Sequence, residues 1–330
     1  MGDGKLLMVI DCDAGIDDAQ AIMIALSQPH VKILAITCVL GNISSTNQVC
    51  LNVLRILKVC GKLGKIPVHR GAEKYILPRH SAFDSTGVHG DDGLGDTPDP
   101  NAPDDSHIES KHGVNALIDL VRQHPGQLTL VALGPLTNLA LAARLDSEFS
   151  KNIKELILMG GNTAGRGNIT ISAEFNFYAD PEAAQIVLND FDCPVYINGW
   201  ELSIKSAIEW TWYKQYLETK TRKAEFLKII TRKRIHDYEF KLESFIFQSK
   251  DLFLNYGWNV PDAVAMMVAI DRRAILEMEQ RHATVELNGT YSRGQMVVDW
   301  ADHLPNRKIS TIVTKIDMGI LMAMMSKSIE

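Results

Sequence analysis

An unbroken apolar run, Leu6-Leu7-Met8-Val9-Ile10, ends in Asp11-Cys12-Asp13, turns through Ala14-Gly15 and passes by way of Asp17-Asp18 into a helix-like apolar stretch, 19–26. A strand that is apolar at every position is buried on both faces, which places it inside a parallel sheet covered by helices. The turn behind it gathers four carboxylates within positions 11–18. They sit at the carboxyl end of the first strand, where open α/β sheets bind their ligands. Like charges at that density repel unless neutralised, and a hard divalent cation that prefers oxygen ligands is the simplest neutraliser. The amino end of the helix adds partial positive charge beside Asp17 and Asp18. Ordinary helix-capping acids account for an isolated Asp-Asp equally well. The preceding Asp-x-Asp and its place in the strand–turn–helix unit favour a site.

The alternation continues along the first two-thirds of the chain. Strands are expected at 6–10, 31–39, 128–133, 155–159 and 195–197, and helices at 18–27, 46–60, 114–123, 136–145 and 181–189. Strands alternating with helices give a mostly parallel sheet with crossovers on both faces. Residues 71–110, rich in Gly, Pro, Asp and His, break the rhythm as a long loop, and such loops are usually functional or disordered. The stretch 208–256 reads as helical and aromatic, with Arg222, Lys223, Lys228, Arg232, Lys233 and Arg234 forming a solvated basic face. A helix at 262–270, short strands near 283–288, 295–300 and 308–313, and a terminal helix near 316–326 complete an α/β fold with a small antiparallel C-terminal element. With no repeat or linker, 1–330 reads as one domain.

A net charge of −6 argues against a general nucleic-acid or anionic-membrane binder. No apolar run reaches the roughly 18 residues of a membrane span. Cys12, Cys38, Cys50, Cys60 and Cys193 are odd in number and lack Cys-x-x-Cys spacing, so buried thiols in a reducing compartment are expected rather than disulfides or zinc. The N-terminus lacks the apolar core and cleavage site of a signal peptide, which makes the cytoplasm the default location.

Further polar motifs follow the strands: Gly41-Asn42, Gly134-Pro135-Leu136-Thr137-Asn138, Gly160-Gly161-Asn162, and then Asn168 with Glu174-Phe175-Asn176. In a parallel sheet all of them converge on one rim. Amides beside a carboxylate suit the hydroxyls of a polyol. No phosphate loop, dinucleotide fingerprint or Gly-x-Ser-x-Gly elbow is present.

Asp11-x-Asp13-x-Gly15-x-Asp17-Asp18 resembles the signature of the calcium-dependent nucleoside hydrolases. The similarity extends through Ile36-Thr37 to Gly41-Asn42, Val88-His89-Gly90, Gly134-x-Leu136-Thr137-Asn138, Met159-Gly160-Gly161, Ala173-Glu174-Phe175-Asn176, Asp180-Pro181-Glu182-Ala183-Ala184 and Asp262-Ala263-Val264-Ala265, in the family's order. The resemblance implies hydrolysis of the N-glycosidic bond of ribonucleosides. It implies Ca²⁺ held by the side chains of Asp13, Asp18 and Asp262 and the carbonyl of Leu133, with Asp13 also the base toward water. Asp17, Asn168, Glu174 and Asn176 would hold the ribose, Asn42 would fix water or sugar, and Asp11 would be a structural acceptor. A homodimer or homotetramer is expected.

Pro261 departs from the family pattern, in which His or Trp stands at that position and activates the leaving base. His89 is the expected substitute acid and base contact, with His236 a weaker candidate. Trp258, Trp200 and Tyr256 could stack on the base or belong to the core. Ala14 stands where the family often has Pro, a change expected to matter little because Gly15 still allows the turn. Two other readings use the same residues. One is a haloacid-dehalogenase-like phosphohydrolase with Asp11 as nucleophile, Asp13 as acid and Mg²⁺, which leaves Asp17-Asp18 and Glu174–Asn176 without a role. The other is a nucleoside- or ribose-binding protein that has lost turnover.

Overall fold

The computed structural model describes residues 4–78, 86–243, 257–304 and 308–330. Its strands are β1 (Leu6–Cys12), β2 (Val31–Cys38), β3 (Val68–Arg70), β4 (Ile108–Glu109), β5 (Leu128–Ala132), β6 (Glu155–Met159), β7 (Val195–Asn198), β8 (Ile275–Val285), β9 (Met296–Val298) and β10 (Ile309–Ile316). They form one sheet in the order β4-β3-β2-β1-β5-β6-β7-β10-β8-β9.

β1 is the pivot. It pairs in parallel with β2 on one side and β5 on the other, so the chain winds outward in both directions from it. That reversal opens a crevice at the carboxyl ends of β1 and β5. The apolar run of β1 alternates between two cores, as strand geometry requires. Met8, Ile10 and Cys12 join one cluster and Val9 the other. Helices Ile16–Ser27, Thr46–Val59, Pro261–Ile270 and Met318–Ser328 cover the first face. Gly113–Gln123, Thr137–Leu145 and Pro181–Asp190 cover the second. The expected α/β architecture is present.

The far edge is antiparallel as expected, through β10 on β8 and β8 on β9. However, β8 begins at Ile275, eight residues before the expected strand near 283. Its first residues are accessible on both faces, with Leu276, Glu277 and Met278 all exposed, so they lack the one-sided alternation that marks a strand in sequence. The described residues of 71–110 also hold more regular structure than expected. They contain a short helix Thr86–His89, a 3₁₀ turn Asp105–His107 and β4. Asp92 organises the turn between them, accepting from the backbone N–H groups of Leu94, Asp96 and Thr97. Asn52 Nδ2 ties the Asp92 carbonyl at 2.7 Å, and Arg55 reaches the Thr97 carbonyl at 2.6 Å. The loop is thereby fastened to helix Thr46–Val59, and with it His89.

Candidate active site

Two helix N-termini deliver the acidic cluster. Asp17 and Asp18 lie in the first turn of Ile16–Ser27, and Asp262 in the first turn of Pro261–Ile270. Candidate ligand oxygens of these three lie within 4.8 Å of one another. Asp13, just past β1, joins them by contact with Asp18. Its Oδ2 accepts the Asn42 backbone N–H at 2.8 Å. Burial, and then Asp18, raises Asp13 well above the usual carboxylate range; burial followed by its carboxylate neighbours does the same to Asp262. Asp18 rises to about 7, chiefly through burial and Asp17. One oxygen each of Asp17 and Asp18 is buried without a hydrogen-bond donor. A divalent cation fits this arrangement: hard anionic oxygens, desolvated and unsatisfied, converging on one point. The Leu133 carbonyl faces the same cavity and already accepts Asn176 Nδ2 at 2.8 Å, which leaves its second lone pair for another partner.

The glycines around Asp13 are there for space. A Cβ at Gly41 would lie 2.0 Å from Asp13 Oδ2. The turn itself differs from expectation. The left-handed residue is Ala14, at φ 41°, whereas Gly15 is extended. Gly15 is required because a Cβ there would meet His89 Nδ1 at 2.7 Å and Asn42 Nδ2 at 2.8 Å. Proline, locked near φ −65°, does not fit the backbone found at position 14.

Above the cluster lies a cavity of about 380 Å³, lined among others by Asp17, Asn42, His89, Leu133, Asn168, Glu174, Asn176 and Asp262. The expected sugar-binding and metal-binding residues therefore meet in one place, with Asp13 and Asp18 buried beside them. Glu174 caps helix Phe175–Ala179 and accepts three backbone N–H groups, from Gly161, Asn176 and Phe177. Burial still lifts it to about 7. Asn168 Oδ1 takes the Phe175 N–H. Asn176 spends its Nδ2 on the Leu133 and Met159 carbonyls, so its Oδ1 is what it can offer a hydroxyl.

His89 lies in the wall, but its environment disfavours an acid. Nδ1 accepts the Ile16 N–H at 3.1 Å, and Asp17 Oδ1 lies 3.6 Å away. Burial, opposed by Asp17 and aided by Arg234, lowers its pKa to about 4. The ring is neutral at pH 7, with Nε2 carrying the proton. Asp11 is fully buried, and its Oδ1 accepts from Thr37 Oγ1 and Asn138 Nδ2. Its Oδ2 is buried without a donor, and it lies beneath the cavity rather than in the lining, a placement that suits a structural acceptor better than a nucleophile. Asn138 also reaches the Cys38 carbonyl and the Ala72 N–H, so this rim motif braces the strands from below.

Trp258 is core, stacked on Tyr213 at 4.6 Å between centroids, whereas Trp200 lines the cavity. His236 is exposed, and Tyr256 lies outside the described residues. The cavity also includes residues not anticipated from sequence: Arg234, Asn259, Phe175, Val88, Ile169 and Met159. Arg234 was expected on a solvated face. Lys228 and Lys233 do pair with exposed acids, but Arg234 turns inward. Only the helical phase of Arg222–Glu243 relative to the sheet distinguishes it.

A family model described as inosine-uridine preferring nucleoside hydrolase matches residues 8–323. The chain is 32% identical over 311 residues to the inosine-uridine preferring nucleoside hydrolase of Crithidia fasciculata, covering 94% of this chain and 93% of that protein. It is 44% identical over 187 residues to a probable uridine nucleosidase 2 of Arabidopsis thaliana, 57% of this chain and 56% of the relative. Among solved structures, an inosine-guanosine nucleoside hydrolase superposes with a TM-score of 0.86 at 29% identity, covering 98% of both chains.

Proposed function

This chain belongs to the inosine-uridine preferring nucleoside hydrolase family, and from that premise we propose that its cavity hydrolyses the N-glycosidic bond of ribonucleosides with Ca²⁺ held by Asp13, Asp18, Asp262 and the Leu133 carbonyl. The observation that carries this reading is the set of desolvated carboxylate oxygens without donors beneath a cavity lined by Asn168, Glu174 and Asn176. When bound, the cation supplies Lewis acidity that lowers the pKa of a water molecule and fixes its position. The remaining work falls to side chains. Asp13, anchored through Oδ2 by the Asn42 N–H, accepts a proton from the attacking water. Asp17, Asn168, Glu174 and the Asn176 Oδ1 hold the ribose hydroxyls and keep the anomeric carbon in line with that water. Asn42 borders both. His89, with Nδ1 committed to Ile16, donates a hydrogen bond from Nε2 rather than a proton. Family membership and the full burial of Asp11 together displace the phosphohydrolase reading.

We propose further that 1–330 is one domain, supported by a single sheet running from β4 to β9. Assembly as a homodimer or homotetramer is supported by exposed Leu276, Met278 and Ile309 on the antiparallel edge. A cytoplasmic location is supported by five thiols without a disulfide. Among the described residues no helix is long and apolar enough to cross a membrane.

The test is release of reducing sugar from purine and pyrimidine ribonucleosides before and after chelation. Turnover is expected to vanish with chelator and return with Ca²⁺, and Asp13→Ala is expected to abolish it while far-UV circular dichroism is unchanged. Full activity after exhaustive chelation would refute the metal assignment. Tight ligand binding with no sugar released by the native protein would identify a binding protein instead.

A further inference from the structure

Arg234 projects from helix Arg222–Glu243 into the cavity wall. Its guanidinium carbon lies 4.6 Å over the ring of Trp258. That contact places it against segment 258–261, whose Asn259 and Pro261 line the same wall. It is close enough to act on the charge of Asp17 and His89. Among the described residues its close partner is the Trp258 ring, and its N–H donors border the cavity, where a ligand can supply acceptors. Half-burying a guanidinium costs it part of its hydration. The cost is explained when a ligand supplies the acceptors. Asn259 Oδ1, next along the wall, is buried without a donor.

Among the described residues, the positions expected to activate a departing base supply no proton. Pro261 has no proton to give, and His89 is a neutral ring already engaged by Ile16. We propose that Arg234 is a catalytic residue that binds the leaving nucleobase and stabilises it as an anion, replacing a proton donor. This rests on the ribonucleoside-hydrolysing reading of the cavity. The C1′–N bond breaks with its electron pair going to the base, and the water oxygen bonds to C1′ as its proton passes to Asp13. The base leaves hydrogen-bonded to the guanidinium and is protonated by solvent after release. A preorganised donor aimed at developing negative charge contributes about 10²–10³-fold to a rate.

The experiment compares native protein, Arg234→Gln and Arg234→Lys on natural ribonucleosides and on p-nitrophenyl riboside, whose leaving group departs as a stable anion without help. Arg234→Gln is expected to lower kcat on natural substrates by about 10²–10³-fold and to change it on p-nitrophenyl riboside by less than about fivefold, the rate factor of a disturbance of about 1 kcal/mol elsewhere. Affinity for free D-ribose, measured by calorimetry, should be unchanged, and Arg234→Lys should retain part of the lost rate. Equal losses on both substrates, or weakened ribose binding, would overturn the proposal and make Arg234 a structural counter-charge. Failure of the native protein to cleave p-nitrophenyl riboside would remove the hydrolytic reading itself, and this inference with it.

Discussion

Single atoms decide the geometry around Asp13. Because a Cβ at Gly41 would overlap Asp13 Oδ2 at 2.0 Å, Gly41→Ala should displace that carboxylate and weaken calcium binding. Disturbing the groups that orient a metal ligand typically costs about 10–100-fold in affinity. Calorimetric titration of the chelated protein measures this, and native affinity in the variant would rule the crowding out. Asp11 tests burial in another way. Burial raises it to about 7 against hydrogen bonds from Thr37 and Asn138 that pull it down. A carboxyl raised in the folded state binds its proton more tightly there. Its stabilising contribution is full below pH 4 and is lost as pH climbs toward 7. Asp11→Asn should remove that slope, which is at most about 1.4 kcal/mol per pH unit. Urea unfolding in chelator at pH 4.5, 5.5 and 6.5, on an order-of-magnitude grid set by those limits, would show native stability falling relative to the variant. A constant difference would mean that Asp11 keeps one protonation state throughout.

At the scale of elements, the loop carrying His89 is only as well placed as its anchor. Asn52 is fully buried in helix Thr46–Val59, and its Nδ2 reaches the Asp92 carbonyl at 2.7 Å and the Ala14 carbonyl at 3.3 Å. One amide thus braces the left-handed turn at Ala14 and the loop opposite it. Asn52→Ala should cost about 1–3 kcal/mol, the penalty of leaving buried carbonyls unsatisfied, and should raise KM as His89 loosens. Thermal unfolding and steady-state kinetics report the two effects separately, and a stable variant with unchanged KM would contradict the anchoring role. Legibility in the sequence follows the same division. β1 and β6 could be read directly because a strand buried on both faces is apolar at every position, and Glu155–Met159 was delimited correctly. β8 was cut short because its first residues are exposed on both faces. Asp17, Asp18 and Glu174 stood out because carboxylates at strand ends are chemically conspicuous. Arg234 did not, since a basic run on a helix looks the same whichever residue points inward. Asn259 gave no signal beyond its closeness to Pro261.

For the whole molecule, the proposed metal site joins elements far apart in the chain, so occupancy should register in global stability. Ligand at a hundred times its dissociation constant stabilises a native state by about 2.7 kcal/mol, which for a chain of this size is roughly 5 °C in Tm. Calcium should raise Tm by that order, and Asp262→Asn should abolish the rise without changing strand content. An equal shift in the variant would place the ion elsewhere. The position of Asp262 has a further consequence, in time rather than in space. Asp13, Asp17 and Asp18 leave the ribosome long before the helix that carries Asp262, which begins at Pro261. In that interval the nascent chain carries a cluster of mutually repelling carboxylates without the third carboxylate of the proposed ligand set. On that ligand set, metal loading waits for the helix, and a nascent chain halted before it emerges lacks the Asp262 ligand however much calcium surrounds it.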